Sequence, residues 1–437
     1  MEGRNIYPQY YDHSEEIMIN KRLAAGNQRV NPPIPPLTKG GKGGFEAGFT
    51  LVELMITMVI FVVFIAAASQ VLTGLLTQFK QQSKIAETNI EGIVGLEILR
   101  QDMEHAGYGL PWNLNGAAYE EAVVISETNW VDRDFNDGPP TNPARGSDPA
   151  GASNPPGAIR SGNGYSMNSS DVLVIKAVNV ARNDTCSKST TLRLASPYVR
   201  TWTPASENLV NNDRVIVLSL GTGGQRVLNV SGTAQCPTST KLFCTLYSNV
   251  INSPWPPTDA AETRIVYGVD PDTGLRMPFN RADYYVRRPT TNVPQKCAPD
   301  TGILYKGIIR QADGGLSELP LLDCAADMQV IFGLDNDGDG DFEPGAGGST
   351  DGYNENIFAL TAQQIRDQVR QVRVYILAHE GQTDMGFDFN NFNGACSHCV
   401  LVGEFGLGHS FDLATITGYQ HYHWKLYTIV ATPNELR

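Results

Sequence analysis

The chain has 437 residues, 41% hydrophobic and 18% charged, an ordinary balance for a folded protein able to bury a sizeable core. Its formal net charge of −13 argues against general nucleic-acid binding, which draws on Lys and Arg for phosphate contacts, and suits divalent cations better. The 43 Gly and 26 Pro predict many loops.

Residues 1–48 show no apolar periodicity, and the Pro/Gly-rich stretch Asn31–Gly44 cannot build a core. The segment is set aside from the fold, and an internal start at Met18 would shorten it. From Leu54 to Phe79 there is no charged residue. As a helix this run would extend about 39 Å, enough to cross a hydrocarbon layer of about 30 Å. Beyond it Ile85, Ile90, Ile93, Val94, Leu96, Leu99 and Met103 recur at mostly three- to five-residue spacing, with Lys84, Glu87, Glu91, Glu97 and Arg100 between them. That pattern predicts an amphipathic continuation with one buried stripe, stopped by Gly107, Gly109 and Pro111. One continuous helix is expected, apolar all round in its first half and one-sided in its second.

The Pro-, Gly-, Ser- and Asn-rich stretch Asn136–Ser170 predicts a long surface loop. Short β-type runs follow at Asp171–Val180, Asp213–Leu220, Lys241–Tyr247, Glu262–Val269, Ala282–Arg288, Gly302–Arg310 and Ala326–Leu334, separated by turn residues. Leu360–Gln371 reads as a short helix opened by a Thr361/Gln364 capping box. Val372–Ala378 and His421–Thr432 alternate like strands that close the sheet. The expected fold class is therefore α+β: a long N-terminal helix on a largely antiparallel sheet head with long loop insertions.

Three readings compete at Gly48–Leu54, "GFTLVEL", where Glu53 stands at the edge of the apolar run. Lys39 and Lys42, the apolar stretch Leu54–Ile65 and the small residues Ala66–Ala68 fit a cleaved signal peptide, with a mature start at Ser69. A plain signal anchor fits as well. Neither accounts for Glu53 or for the amphipathic continuation of the same helix. The stretch also resembles the processing site of type IV prepilins. The resemblance implies cleavage between Gly48 and Phe49 by a dedicated peptidase, methylation of the new N-terminal residue, and Glu53 as the fifth residue of the mature chain. It divides the chain into a removed leader (1–48), the long helix (49–108) and a globular head (109–437). A new positive amine on Phe49 in an apolar surrounding is costly unless paired, and Glu53 of the same or a neighbouring subunit can pair it. Such pairing fixes the axial register of helices packing into a fibre. Lys39 and Lys42 keep the leader cytoplasmic under the positive-inside tendency.

Glu97–Gly109, Asp171–Val178, Asp313–Asp341, Val369–Gly381 and His423–Arg437 further resemble the PilW-type minor pilins, leaving residues 110–165 and 382–418 as insertions. That resemblance implies a low-abundance subunit, held in the inner membrane with a periplasmic head before assembly and then part of a cell-surface pilus. It would prime pilus assembly at or near the tip, with a role in adhesion. Its partners would be other minor and major pilins, met through the N-terminal helix, and the prepilin peptidase. A minor pseudopilin of a type II secretion system shares the N-terminus and the priming role and is the alternative.

"DNDGDGDFE" places Asp335, Asp337, Asp339, Asp341 and Glu343 at alternate positions, with Gly338 and Gly340 allowing sharp turns. Such oxygen ligands can wrap one structural Ca²⁺, with Asp351 or Glu355 completing the set. The twelfth position is Ala346 and a strand precedes the loop, so it is no EF-hand. The bland alternative is a solvated acidic turn. Seven cysteines all lie beyond residue 180. A disulfide within Cys396-x-x-Cys399 is favoured over zinc held with His409 and His421 or His423, and Cys236 with Cys244 and Cys297 with Cys324 are the other candidate pairs. Cys186 is left over. His421 and His423 alternate on an expected strand and read as structural. No hydrolase, zincin or phosphate-loop motif is present, so no enzymatic activity is expected; a membrane-anchored hydrolase using the head's histidines is the remote alternative.

Overall fold

A computed structural model describes residues 50–123, 135–137, 155–196, 198–221, 224–346 and 348–436; within the first helix the side chains of residues 77, 81 and 84–91 lie outside that description. The chain divides into two units, Met1–Gln70 and Val71–Arg437. Helix α1 (Leu51–Glu104) is continuous over 54 residues, as its unbroken helical patterning predicts. Its stretch Leu51–Lys80 is long and apolar enough to cross a membrane, and its apolar side chains are exposed.

In the second unit an eight-stranded sheet holds β1 (Ile159–Gly162), β2 (Val172–Ala177), β8 (Asn280–Arg287), β9 (Gly302–Ile309), β10 (Leu316–Leu334), β12 (Val369–Glu380) and β15 (His423–Ala431), in the order β1-β2-β8-β9-β10-β12-β15, with β11 (Gly352–Asn354) on β10. A five-stranded sheet orders β3 (Ser189–Leu192), β7 (Arg264–Asp270), β4 (Arg214–Leu220) and β5 (Arg226–Leu228), with β6 (Thr245–Leu246) on β4, and β13 (Cys399–Val402) pairs with β14 (His409–Asp412). The pairings between these strands are antiparallel. The fold is thus α+β, a helix on a sheet head. Helix α2 (Ala362–Gln368) opens with the expected capping box of Thr361 and Gln364.

Alternation along the strands buries both faces of the large sheet. Val374, Ile376, Tyr427 and Ile429 join the main core with Leu96, Leu99 and Met103 of α1, whereas Tyr375, Leu377 and Trp424 join a second core with Val400, Val402, Phe411 and Leu413. Residues 382–418, expected to be an insertion, thus cover the sheet face opposite α1. The smaller sheet has Ile216 and Leu218 in the main core and Val215 and Val217 in a separate core around buried Trp255.

Three expectations need correction. Ile93 and Val94 do not lie in the buried stripe but are exposed; the helix meets the sheet through Gly92, Gly95, Leu96, Leu99 and Met103. A Cβ at Gly95 would stand 2.1 Å from the Leu321 carbonyl oxygen, and one at Gly92 would stand 2.9 Å from Leu322 Cδ1. The two glycines are the contact, so their apolar neighbours turn outward. Leu321 sits in a bulge after Pro320, which cannot donate to the ladder. The stretch Asn136–Ser170 is not all surface loop: Asn136 and Asp137 are buried and β1 is a buried edge strand. Lys241–Tyr247 contributes only the two residues of β6, because a disulfide between Cys236 and Cys244 and a following 3₁₀ turn bend the chain there.

Charge is buried in two places. On α1, the Asp102 carboxylate accepts from the buried Lys306 ammonium and Tyr284 hydroxyl and pairs with Arg182 at 3.1 Å. Burial pulls the Lys306 ammonium below its ordinary range, against the pull of Asp102. Beneath β1, β2 and β8, Arg160, Asp137, Lys176, Glu121, Arg281 and Asp283 form a chain of ion pairs at 2.5–3.1 Å, each side chain at most 2% exposed.

Removing one partner of a buried pair strands the other charge at a cost of about 3–5 kcal/mol. Asp102→Ala should therefore lower the head's unfolding free energy, measured by urea denaturation, by that amount, and pairing Asp102→Leu with Lys306→Met should restore most of it. A loss below about 1 kcal/mol for Asp102→Ala would contradict the anchoring role.

Candidate functional site: the helix start and the acidic loop

Helix α1 begins immediately after Thr50, and Glu53 closes a capping box on it. The Glu53 N–H donates to Thr50 Oγ1 at 3.2 Å, and Glu53 Oε2 accepts from the Thr50 N–H and hydroxyl at 3.1 Å each. Such caps contribute about 1 kcal/mol and place a carboxylate at the positive end of the helix dipole. Thr50-x-x-Glu53 carries the capping-box signature in the sequence itself. Gly48 and Phe49 lie outside the described residues.

In the acidic loop, one carboxylate oxygen each from Asp335, Asp337 and Asp351 lie within 4.8 Å of one another. Asp335 is fully buried; it accepts from Gly338 N (2.6 Å), Gly340 N (3.0 Å) and Arg370 Nη2 (2.9 Å). Gly338 and Gly340 adopt φ of +76° and +97°, the turns their positions require. Asp351 accepts from Asn336 N at 2.9 Å and Glu343 N at 3.0 Å. Burial raises its carboxyl pKa, but these backbone donors outweigh it and hold the group below the usual carboxylate range. Asp339, Asp341 and Glu343, expected beside Asp335 and Asp337, are not in the group: the loop folds on its own side chains, Asp339 accepting from Asp341 N at 3.0 Å and Asp351 from Glu343 N. Glu355 is engaged by Gly408 N at 2.9 Å.

A family model for the prokaryotic N-terminal methylation motif matches residues 45–69, across the start of α1. The match supports a type IV pilin-like protein. It implies processing by prepilin peptidase and assembly with other pilins, and with the apolar helix it fits a membrane-anchored pilin. No curated protein and no solved structure matches the chain.

The head carries disulfides Cys236–Cys244, Cys297–Cys324 and Cys396–Cys399, and Cys186 is a buried free thiol that burial pushes up to about 11. The zinc set with His409, His421 or His423 does not form. His409 Nδ1 lies 2.8 Å from Asp327, whose carboxylate raises the imidazole pKa. His421 sits in a 3₁₀ turn, with Nδ1 2.9 Å from the Phe387 carbonyl, instead of on the strand; His423 starts β15 and stacks on Phe387. Near His409, burial pushes the Asp171 carboxyl up to about 7, against backbone hydrogen bonds from Gly164 and Val330. No sequence pattern marks this carboxylate–imidazole cluster, because Asp171, Asp327 and His409 come from three distant segments.

Proposed function

We propose that the chain is a minor type IV pilin of the PilW type. In this reading a peptidase cuts after Gly48 and methylates Phe49. The subunit is held in the inner membrane with its head in the periplasm, then primes pilus assembly with other minor and major pilins at or near the tip. One observation carries it: the methylation motif opens an unbroken 54-residue helix whose last turns pack on an antiparallel head. The Glu53 cap supports a role for the carboxylate before and after cleavage. It leaves Oε1 without a partner among the described residues, on a side chain four positions along the sequence from Phe49. The head has no enzymatic role. Adhesion falls to the exposed parts of residues 382–418, such as Met385 and Phe405.

The acidic loop holds one structural Ca²⁺ through Asp335, Asp337 and Asp351. Three converging carboxylates, with the Arg370 guanidinium paired to Asp335, leave excess negative charge, which favours a hard divalent cation.

In the native host, loss of the chain should sharply reduce surface pili, and Glu53→Ala should fail to restore them. Normal piliation with impaired secretion of folded proteins would assign the chain to a type II secretion system; neither phenotype would overturn the reading. For the loop, Ca²⁺ should raise the head's melting midpoint over the chelated protein, as binding to the native state alone requires. Asp337→Asn should abolish the shift, and an unchanged wild-type midpoint would leave a solvated acidic turn.

A further inference from the structure

We propose that the Cys396–Cys399 hairpin is a redox-gated site for a thiophilic divalent metal ion, closed by its disulfide when oxidised and formed by Cys396, Cys399 and Asp412 when reduced. The register of β13 on β14 sets Cys399 directly opposite Asp412. Both sulfurs and one Asp412 carboxylate oxygen already lie within 4.8 Å of one another. Ligands of a tetrahedral zinc site, with metal–sulfur bonds of about 2.3 Å and metal–oxygen bonds of about 2.0–2.2 Å, stand about 3.5–3.8 Å apart. Side-chain rotation that parts the two sulfurs after reduction reaches that spacing.

The carboxylate is held in place for the task. Asp412 Oδ1 accepts from Ala414 N at 3.0 Å, capping the 3₁₀ turn Leu413–Thr415, and Oδ2 has no partner among the described residues. One oxygen is thus fixed by the backbone while the other is open to a ligand. The hairpin is also shaped independently of the sulfur–sulfur bond. Cys399 O accepts from Asn393 N at 3.1 Å and Gly394 N at 2.9 Å, the His398 carbonyl accepts from Leu413 N at 3.1 Å, and Ser410 Oγ accepts from Ala395 N at 2.7 Å. At Gly394 a Cβ would stand 2.5 Å from Cys399 Cβ, so a glycine is needed where the loop folds back on the cysteine.

The disulfide itself contributes little to the fold. It spans a sequence separation of 3, against 8 and 27 for the other two, so it constrains the unfolded chain least. It is also open to exchange, because Cys396 is exposed while Cys399 is buried. One thiolate of an external dithiol attacks Cys396 Sγ, and Cys399 leaves as a thiolate. The second thiol of the reductant then attacks its own sulfur in the mixed disulfide, releasing Cys396 and a cyclic disulfide. Two electrons pass to the protein and two thiols result, and a divalent ion displaces their two protons on binding. Two thiolates with one carboxylate select a borderline-soft ion such as Zn²⁺ or Cd²⁺ over Ca²⁺. His398, between the cysteines, packs its ring against Phe392 and Tyr419 and lies 3.1 Å from Ser397 Oγ, which leaves the fourth position to solvent.

The test uses the full chain in detergent micelles, reduced with dithiothreitol, freed of reductant without air and titrated with Cd²⁺, with Zn²⁺ as competitor. Reduced wild type should take up one ion more than the identically treated Cys396→Ser/Cys399→Ser variant, with a thiolate-to-metal charge-transfer band absent from the oxidised protein. Asp412→Asn should keep the same thiol titre and bind at least about tenfold more weakly. Equal uptake by reduced wild type and the double variant would overturn the proposal, as would unchanged affinity in Asp412→Asn.

Discussion

The second unit depends on one carboxylate. Asp102, near the end of α1, accepts from Lys306 on β9 and Tyr284 on β8 and pairs with Arg182. A helix packed through glycines and a few apolar side chains can slide and rotate at small cost. A buried carboxylate with fixed donors cannot, because any other placement leaves Lys306 charged and unpaired in the core. Gly92 and Gly95 then set the distance of approach, and the bulge at Leu321 sets where the helix backbone touches β10. Beyond this anchor the same helix becomes apolar all round, so a single element both packs on the head and includes a stretch long and apolar enough to cross a membrane.

A second buried network does for the 121–160 region what Asp102 does for the helix. Glu121 and Asp137 bring two carboxylates to Lys176 and Arg281, and Arg160 of β1 closes on Asp137. A segment whose composition resembles solvated loop is thereby pinned at Asn136 and Asp137. Residues 382–418 are likewise structural, since Val400, Val402, Phe411 and Leu413 seal one face of the large sheet. Excising residues 382–418 would expose core.

Much of this was legible in the sequence. The uncharged run after Leu54, the amphipathic continuation and the Thr361 cap come from local patterning, and α1, α2 and most strands of the large sheet follow from it. What resisted reading was charge in the interior. Arg160, Lys176, Arg281 and Lys306 are charged yet occupy buried strand positions, and their partners Asp137, Glu121 and Asp102 lie far along the chain. Ile93 and Val94 misled for the opposite reason: apolar side chains drew the stripe to themselves, while two glycines made the contact. In the acidic loop, alternate spacing identified the charge but not the gathering, since backbone donors turn Asp335 and Asp351 together and leave Asp339, Asp341 and Glu343 outside.

The methylation motif, the capped start of α1 and the apolar helix meet in the proposed cleavage after Gly48, which would create a new amine four residues before Glu53. The most direct measurement is mass spectrometry of the N-terminal peptide from protein isolated from its native membrane. The account predicts a peptide beginning at Phe49 and carrying one added methyl group. A peptide beginning at Ser69, or one that retains residues before Phe49, would contradict it.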